Sequence, residues 1–126
     1  VRGHSEDLEE VKRMRAAFVT TWTAAVPGRE MQALAYGRDV DDFFRKKASE
    51  GLCTEPKWLW APKGESFWFV EGEYETLLGI LATPEVQKFL VKGPIMAQDF
   101  GYGLYQVGRD EMFGLYEATL AEVGIG

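Results

Sequence analysis

The alternation of strand-like and helix-like patterns constrains the fold of this chain more than any other feature. From Ala16 to Thr23, Phe18, Thr20 and Trp22 fall on one face and Ala17, Val19 and Thr21 on the other, a mix of aromatic and β-branched side chains that suits a pleated strand. Pro27-Gly28 ends that pattern. From about Arg29 to Glu50 the period is helical: Ala33, Tyr36, Val40, Phe43, Phe44 and Lys47 recur at three- and four-residue steps, and Gly51 supplies the stop. Gly37 inside this helix costs about 1 kcal/mol relative to alanine, which predicts a close packing contact there. Lys57 to Ala61 and Ser66 to Glu71 are two further strands, joined by the turn Pro62-Lys63-Gly64-Glu65. Glu73 to Ala82 is a second helix bearing Leu77, Leu78 and Leu81. Thr83 caps its continuation, Pro84 fits the first helical position, and Gly93-Pro94 ends it after Lys92. Asp99 to Val107 is a fourth strand, and Arg109 to Val123 closes the chain as a helix bearing Met112, Phe113, Tyr116 and Leu120.

The two middle strands are the most aromatic part of the chain. Trp58 and Trp60 share one face of the first; in the second, Phe67 and Phe69 share a face with Glu71, opposite Trp68 and Val70. In the last strand Phe100, Tyr102 and Leu104 lie on one face. Gly101, Gly103 and Tyr105 lie on the other, where the glycines permit close approach by a helix, another chain or a ligand. With 126 residues, close to the commonest domain size, residues 15–126 are expected to form one domain. Ser5 to Arg13 reads as a short helical segment capped by Ser5. Residues 1–14 are expected to be a helical extension or a remnant of expression, with Met14 an alternative start.

The order β-α-β-β-α-β is the split βαβ, or ferredoxin-like, pattern. Right-handed crossovers place both helical layers on one face of a four-stranded antiparallel sheet, an α+β fold. The other face then presents aromatic side chains that a second subunit should cover. In element order, in length and in the strands Phe18-Val19-Thr20-Thr21-Trp22 and Phe67-Trp68-Phe69-Val70-Glu71, the chain from Arg15 to Val107 resembles the dimeric α+β barrel superfamily. The resemblance implies a homodimer, or a larger homo-oligomer, packed sheet against sheet around a shared cavity. It includes cofactor-independent monooxygenases, muconolactone-isomerase-like enzymes, haem-handling enzymes and many small proteins of unknown role, so the fold by itself selects none of these functions.

Charge and residue usage remove several classes. A net charge of −6 is the wrong sign for generic nucleic-acid binding, and the one dense basic run, Arg45-Lys46-Lys47, lies among Asp39, Asp41, Asp42 and Glu50, as on a solvated helix face. No apolar run reaches the roughly 18–20 residues of a membrane span. Cys53 is the only cysteine, so no intrachain disulfide forms and a cytoplasmic location is expected. The sole histidine, His4, lies in the N-terminal extension. A histidine base, a Ser-His-Asp arrangement, histidine-ligated haem and a His/Cys zinc site are therefore disfavoured. Gly101-Tyr102-Gly103 lacks the third glycine of a dinucleotide fingerprint and lies within a strand. Neither a cofactor nor a metal is expected.

The candidates that remain are carboxylates, phenols and indoles. A buried Glu71 would act as an acid or base, against the plainer reading of an acid solvating a strand end. Tyr102 and Tyr105 would orient a polar ligand through their hydroxyls, or fill the core. The indoles of Trp22, Trp58, Trp60 and Trp68, with Phe67, Phe69, Phe100 and Tyr102, would line a cavity for a flat apolar molecule, or pack as core and dimer interface. The expectation is a homodimer that binds a small apolar or aromatic molecule without catalysis. Its rivals are a cofactor-free monooxygenase or isomerase of the barrel type and a protein-protein interaction module.

Overall fold

A computed structural model describes residue 10 and residues 13–124. The segment from Ser5 to Arg13 therefore lies, apart from Glu10 and Arg13, outside the described residues. Strand β1 (Arg15–Trp22) is central. It pairs with β4 (Ser66–Glu73) on one side and β6 (Gly101–Gln106) on the other, and β3 (Lys57–Leu59) extends the sheet beyond β4. All pairings are antiparallel. Helix α1 (Glu30–Ser49) joins β1 to β3, while α2 (Tyr74–Leu81) and α3 (Pro84–Met96) together join β4 to β6. A two-stranded ribbon of β2 (Ala24–Ala25) and β5 (Ala97–Gln98) stands beside the sheet, and α4 (Arg109–Glu122) follows β6. The four sheet strands thus lie in the order second, third, first, fourth, which is the ferredoxin-like topology.

Register explains which side of the sheet is covered. Phe18 opposes Val70, and Thr20 opposes Trp68, so these four side chains leave the sheet on the same side. That side meets Val40 and Phe44 of α1, Leu77 and Ile80 of α2 and Val86 of α3 in one core cluster. Phe18 is its centre, with its ring 6.1 Å from Phe44 and 5.7 Å from Trp68. The other side carries Val19, Thr21, Phe67, Phe69 and Glu71, all half-buried. Tyr105 also lies there and folds back over its own strand, so that a Cβ at Gly103 would sit 2.8 Å from the Tyr105 ring. The bare face expected at Gly103 is thus filled by a neighbour two residues on.

Local signals set most boundaries. Helix α1 ends where Gly51, at φ 79°, turns the chain and Leu52 N–H reaches Lys47 O at 3.1 Å. Thr83 caps α3, its Oγ1 accepting from Val86 N–H. The basic run of α1 is a solvated face: the Lys47 ammonium lies 5.2 Å from the Phe43 ring centre, and Arg45 pairs with Asp41 at 3.9 Å.

One expected boundary is corrected. Helix α3 does not stop at Gly93-Pro94 but runs to Met96. Pro94 lies in its last turn, where it forfeits a single helical hydrogen bond. Buried Gly93 and Met96, together with the bond from Val26 N–H to Met96 O at 3.0 Å, hold the segment in place. In α2, Leu77 and Ile80, three residues apart, enter the core, and Leu78 is exposed. The apolar stripe of α4 is not buried: no α4 residue is, and Met112, Phe113, Tyr116 and Leu120 are all exposed.

Candidate ligand-binding site

At the end of the core nearest the β2–β5 ribbon, helix and sheet part around a cavity of about 480 Å³. Its sheet wall is Thr20 and Trp22 of β1, Trp58 of β3 and Trp68 of β4; Met96, Ala97 and Phe100 close the ribbon side. The opposite wall is α1, where Ala33 and Gly37 sit one turn apart with almost no side chain. A Cβ at Gly37 would meet nothing within 4 Å. The expected packing contact at Gly37 is therefore absent, and the glycine borders open space.

The indoles form a continuous wall, with Trp58 packed 5.7 Å from Trp22 and 5.6 Å from Trp68. Trp58 Nε1–H donates to Asp41 Oδ1 at 2.8 Å, which ties the edge strand β3 to α1 across the cavity. Glu30 stands at the rim. Its carboxyl is held below the usual carboxylate range by its own backbone N–H and by that of Gly28, which donates to Glu30 Oε1 at 3.1 Å. Tyr36 donates its hydroxyl to Phe89 O at 2.6 Å. One polar atom differs from all of these: Thr20 Oγ1 is buried and has no hydrogen-bond partner.

Burial pushes the Tyr36 hydroxyl from 10 up to about 12. The unfolded chain releases this proton first, so the stability it contributes is intact below pH 10 and is lost as pH rises towards about 12. Urea midpoints measured from pH 9 to 12 should fall more steeply for the unaltered chain than for Tyr36→Phe. Parallel curves would show that this phenol is not what titrates.

The structure sorts the residues expected from sequence. Trp22, Trp58, Trp68 and Phe100 line the cavity. Tyr102 opposes Thr20 and so leaves the sheet on the cavity side, with its ring 6.1 Å from Phe100, but it does not line the cavity and is 55% exposed. Trp60 does not share a strand face with Trp58: β3 ends at Leu59, and Trp60 is 78% exposed. Phe67, Phe69, Glu71 and Tyr105 lie on the far side of the sheet, since Phe67 opposes Thr21 while Glu71 and Tyr105 both oppose Ala17. Glu71, Tyr102 and Tyr105 therefore do not converge on one site. The cavity, moreover, lies within one chain rather than between sheets of two.

Sequence reasoning missed Thr20, Ala33, Gly37, Asp41 and Met96. Thr20 carried a signal, as the one polar residue between Phe18 and Trp22 on an apolar strand face. A second recess, of about 360 Å³, lies between Arg15, Cys53 and Gly72. Burial pushes the Cys53 thiol up, partly opposed by the charge of Lys47, and the thiol donates to Phe44 O at 3.9 Å, so nothing there activates it. Among the described residues no cluster of three or more His, Cys, Asp or Glu could hold a metal ion, and no helix is long and apolar enough to cross a membrane.

No protein-family model matches the sequence, and no curated protein matches it. Solved structures do match in fold. SnoaB, a cofactor-independent oxygenase from Streptomyces nogalater, superposes with a TM-score of 0.58 at 12% identity, over 76% of this chain and 95% of that one. NE2512, a protein of unknown function from Nitrosomonas europaea, gives 0.55 at 10% identity over 78% and 93%. A dimeric protein of unknown function and ferredoxin-like fold from Bacteroides fragilis gives 0.53 at 7% over 74% and 96%. The chain thus has a ferredoxin-like α+β fold.

Proposed function

We propose that this protein binds a small, flat, largely apolar molecule in the cavity between α1 and the sheet, and holds it without chemical change. The carrying observation is the cavity: about 480 Å³, walled by Trp22, Trp58, Trp68 and Phe100 and kept open by Ala33 and Gly37. That volume falls in the range of about 300–1,000 Å³ typical of small-molecule sites, which are mostly apolar with few polar groups. The acidic and phenolic side chains at the cavity support holding rather than reacting: Tyr36 donates to Phe89 O, Asp41 accepts from Trp58, and Glu30 accepts from Gly28 N–H, while Arg38 is exposed to solvent. We further propose a homodimer through the outer face of the sheet, where Val19, Phe67 and Phe69 await cover, in a reducing compartment that suits the lone thiol of Cys53.

A second reading is cofactor-free oxygenation of the bound molecule. It draws on the likeness to SnoaB, described as a cofactor-independent oxygenase, and on an apolar cavity in which protein groups would only position the reactant.

Native mass spectrometry of protein purified from its own cells tests both parts. The expected species has twice the 14.2 kDa chain mass and carries a reproducible extra mass of a few hundred daltons per chain. A chain that stays bare and binds no apolar probe would end the binding reading. Dioxygen uptake on adding back the released molecule would replace it with the oxygenase.

A further inference from the structure

The walls of this cavity are mostly apolar, and one buried polar atom in them has no partner. Thr20 lies in the middle of β1 on the helix-facing side, between Trp68 and Tyr102 on the neighbouring strands. The residue is 4% exposed, lines the cavity, and its Oγ1 has no partner. Three other polar groups around the space have partners within the chain, the Tyr36 hydroxyl on Phe89 O, the Trp58 indole on Asp41 and Glu30 on Gly28 N–H, while Arg38, which also lines the space, is exposed to solvent. A threonine in a helix can return its hydroxyl to the carbonyl one turn back. In a strand the carbonyls are committed to the ladder and point along the sheet, so that escape is closed. A buried hydroxyl left this way is destabilising, and valine would occupy the same position without the penalty.

Resting on the binding reading above, we infer that Thr20 Oγ1 sets the specificity of the cavity by hydrogen-bonding one polar atom on the leading edge of an otherwise apolar, planar ligand. A hydroxyl both donates and accepts, so an aromatic alcohol or ketone satisfies it equally well. A bare hydrocarbon leaves it unpaired. A carboxylate leading towards Thr20 would be stripped of water for a single neutral donor, since the cation that lines the space, Arg38, stays exposed to solvent.

The test is calorimetric titration of the full chain, and of its Thr20→Val and Thr20→Ser variants, with 2-naphthol, naphthalene and 2-naphthoate. The unaltered chain should bind 2-naphthol at least ~10-fold more tightly than naphthalene, and 2-naphthoate more weakly than 2-naphthol. In Thr20→Val the preference for 2-naphthol over naphthalene should vanish or reverse, and the melting temperature should rise because the unpaired hydroxyl is gone. Thr20→Ser should keep the preference. An unchanged preference in Thr20→Val, a lowered melting temperature in that variant, or equal binding of 2-naphthol and naphthalene to the unaltered chain would overturn the role of Thr20 while leaving an apolar binding cavity in place. If the unaltered chain binds none of the three, the binding reading falls and this inference falls with it.

Discussion

Replacing Phe18 with alanine is expected to lower the free energy of unfolding by about 3–5 kcal/mol. The ring is 1% exposed and occupies the middle of the central strand. It packs on Phe44 of α1 in the helical layer and beside Trp68 of β4 and Tyr102 of β6 within the sheet. Neither Phe44 nor Trp68 is free to collapse into the space, because Phe44 is packed 5.0 Å from Trp68 and Trp68 is pinned between β1 and β3. Domains of this size are stable by about 5–15 kcal/mol, so the loss removes a large share of the total. Urea denaturation followed by far-ultraviolet circular dichroism measures it. Phe18→Leu should cost clearly less than the alanine variant, and a cost under about 1 kcal/mol for alanine would mean that the core is not centred on β1.

The second large effect is on binding and should leave the fold intact. Gly37→Phe places a ring where a Cβ meets nothing within 4 Å, on a helix whose backbone accepts any side chain. The ring then fills the space between Ala33, Val40 and the indoles, and affinity for an apolar probe such as 2-naphthol should fall at least ~100-fold as its apolar contacts are forfeited. Gly37→Ala is the control: it should retain binding and raise stability by about 0.5–1 kcal/mol through helix propensity and a less flexible unfolded chain. Titration and thermal melts on both variants separate the two effects. Undiminished binding to a folded Gly37→Phe would place the ligand elsewhere.

Much of the fold was legible because its signals are local. The bounds of α1 follow from an apolar stripe and two glycines, and the strand-helix order follows from where a period of two gives way to one of 3.6. The site was less legible because it depends on register, which is not local. Parity along β4 separates Phe67 and Phe69 from Trp68 and Val70, but both sets are apolar, and nothing in the strand says which set meets the helices. Pairing with β1 decides it: Trp68 joins Thr20, and Phe67 joins Thr21. Trp58 and Trp60 look equivalent in sequence, yet β3 ends between them, so one lines the cavity and the other faces solvent. Gly37 was visible as an anomaly, though its meaning was inverted. A glycine can mark either a tight contact or an open space, and only the opposing wall distinguishes them.

The placement of the tryptophans has an optical consequence. Trp22, Trp58 and Trp68 stand in a row along the cavity, 5.7 and 5.6 Å apart from ring to ring, whereas Trp60 is 78% exposed to solvent. Excitation shared among the three clustered indoles makes their emission respond as one body to whatever enters, while the isolated fourth reports only the solvent. The chain thus carries its own paired probe and reference, and occupancy of the cavity can be read as a change in colour without any label attached.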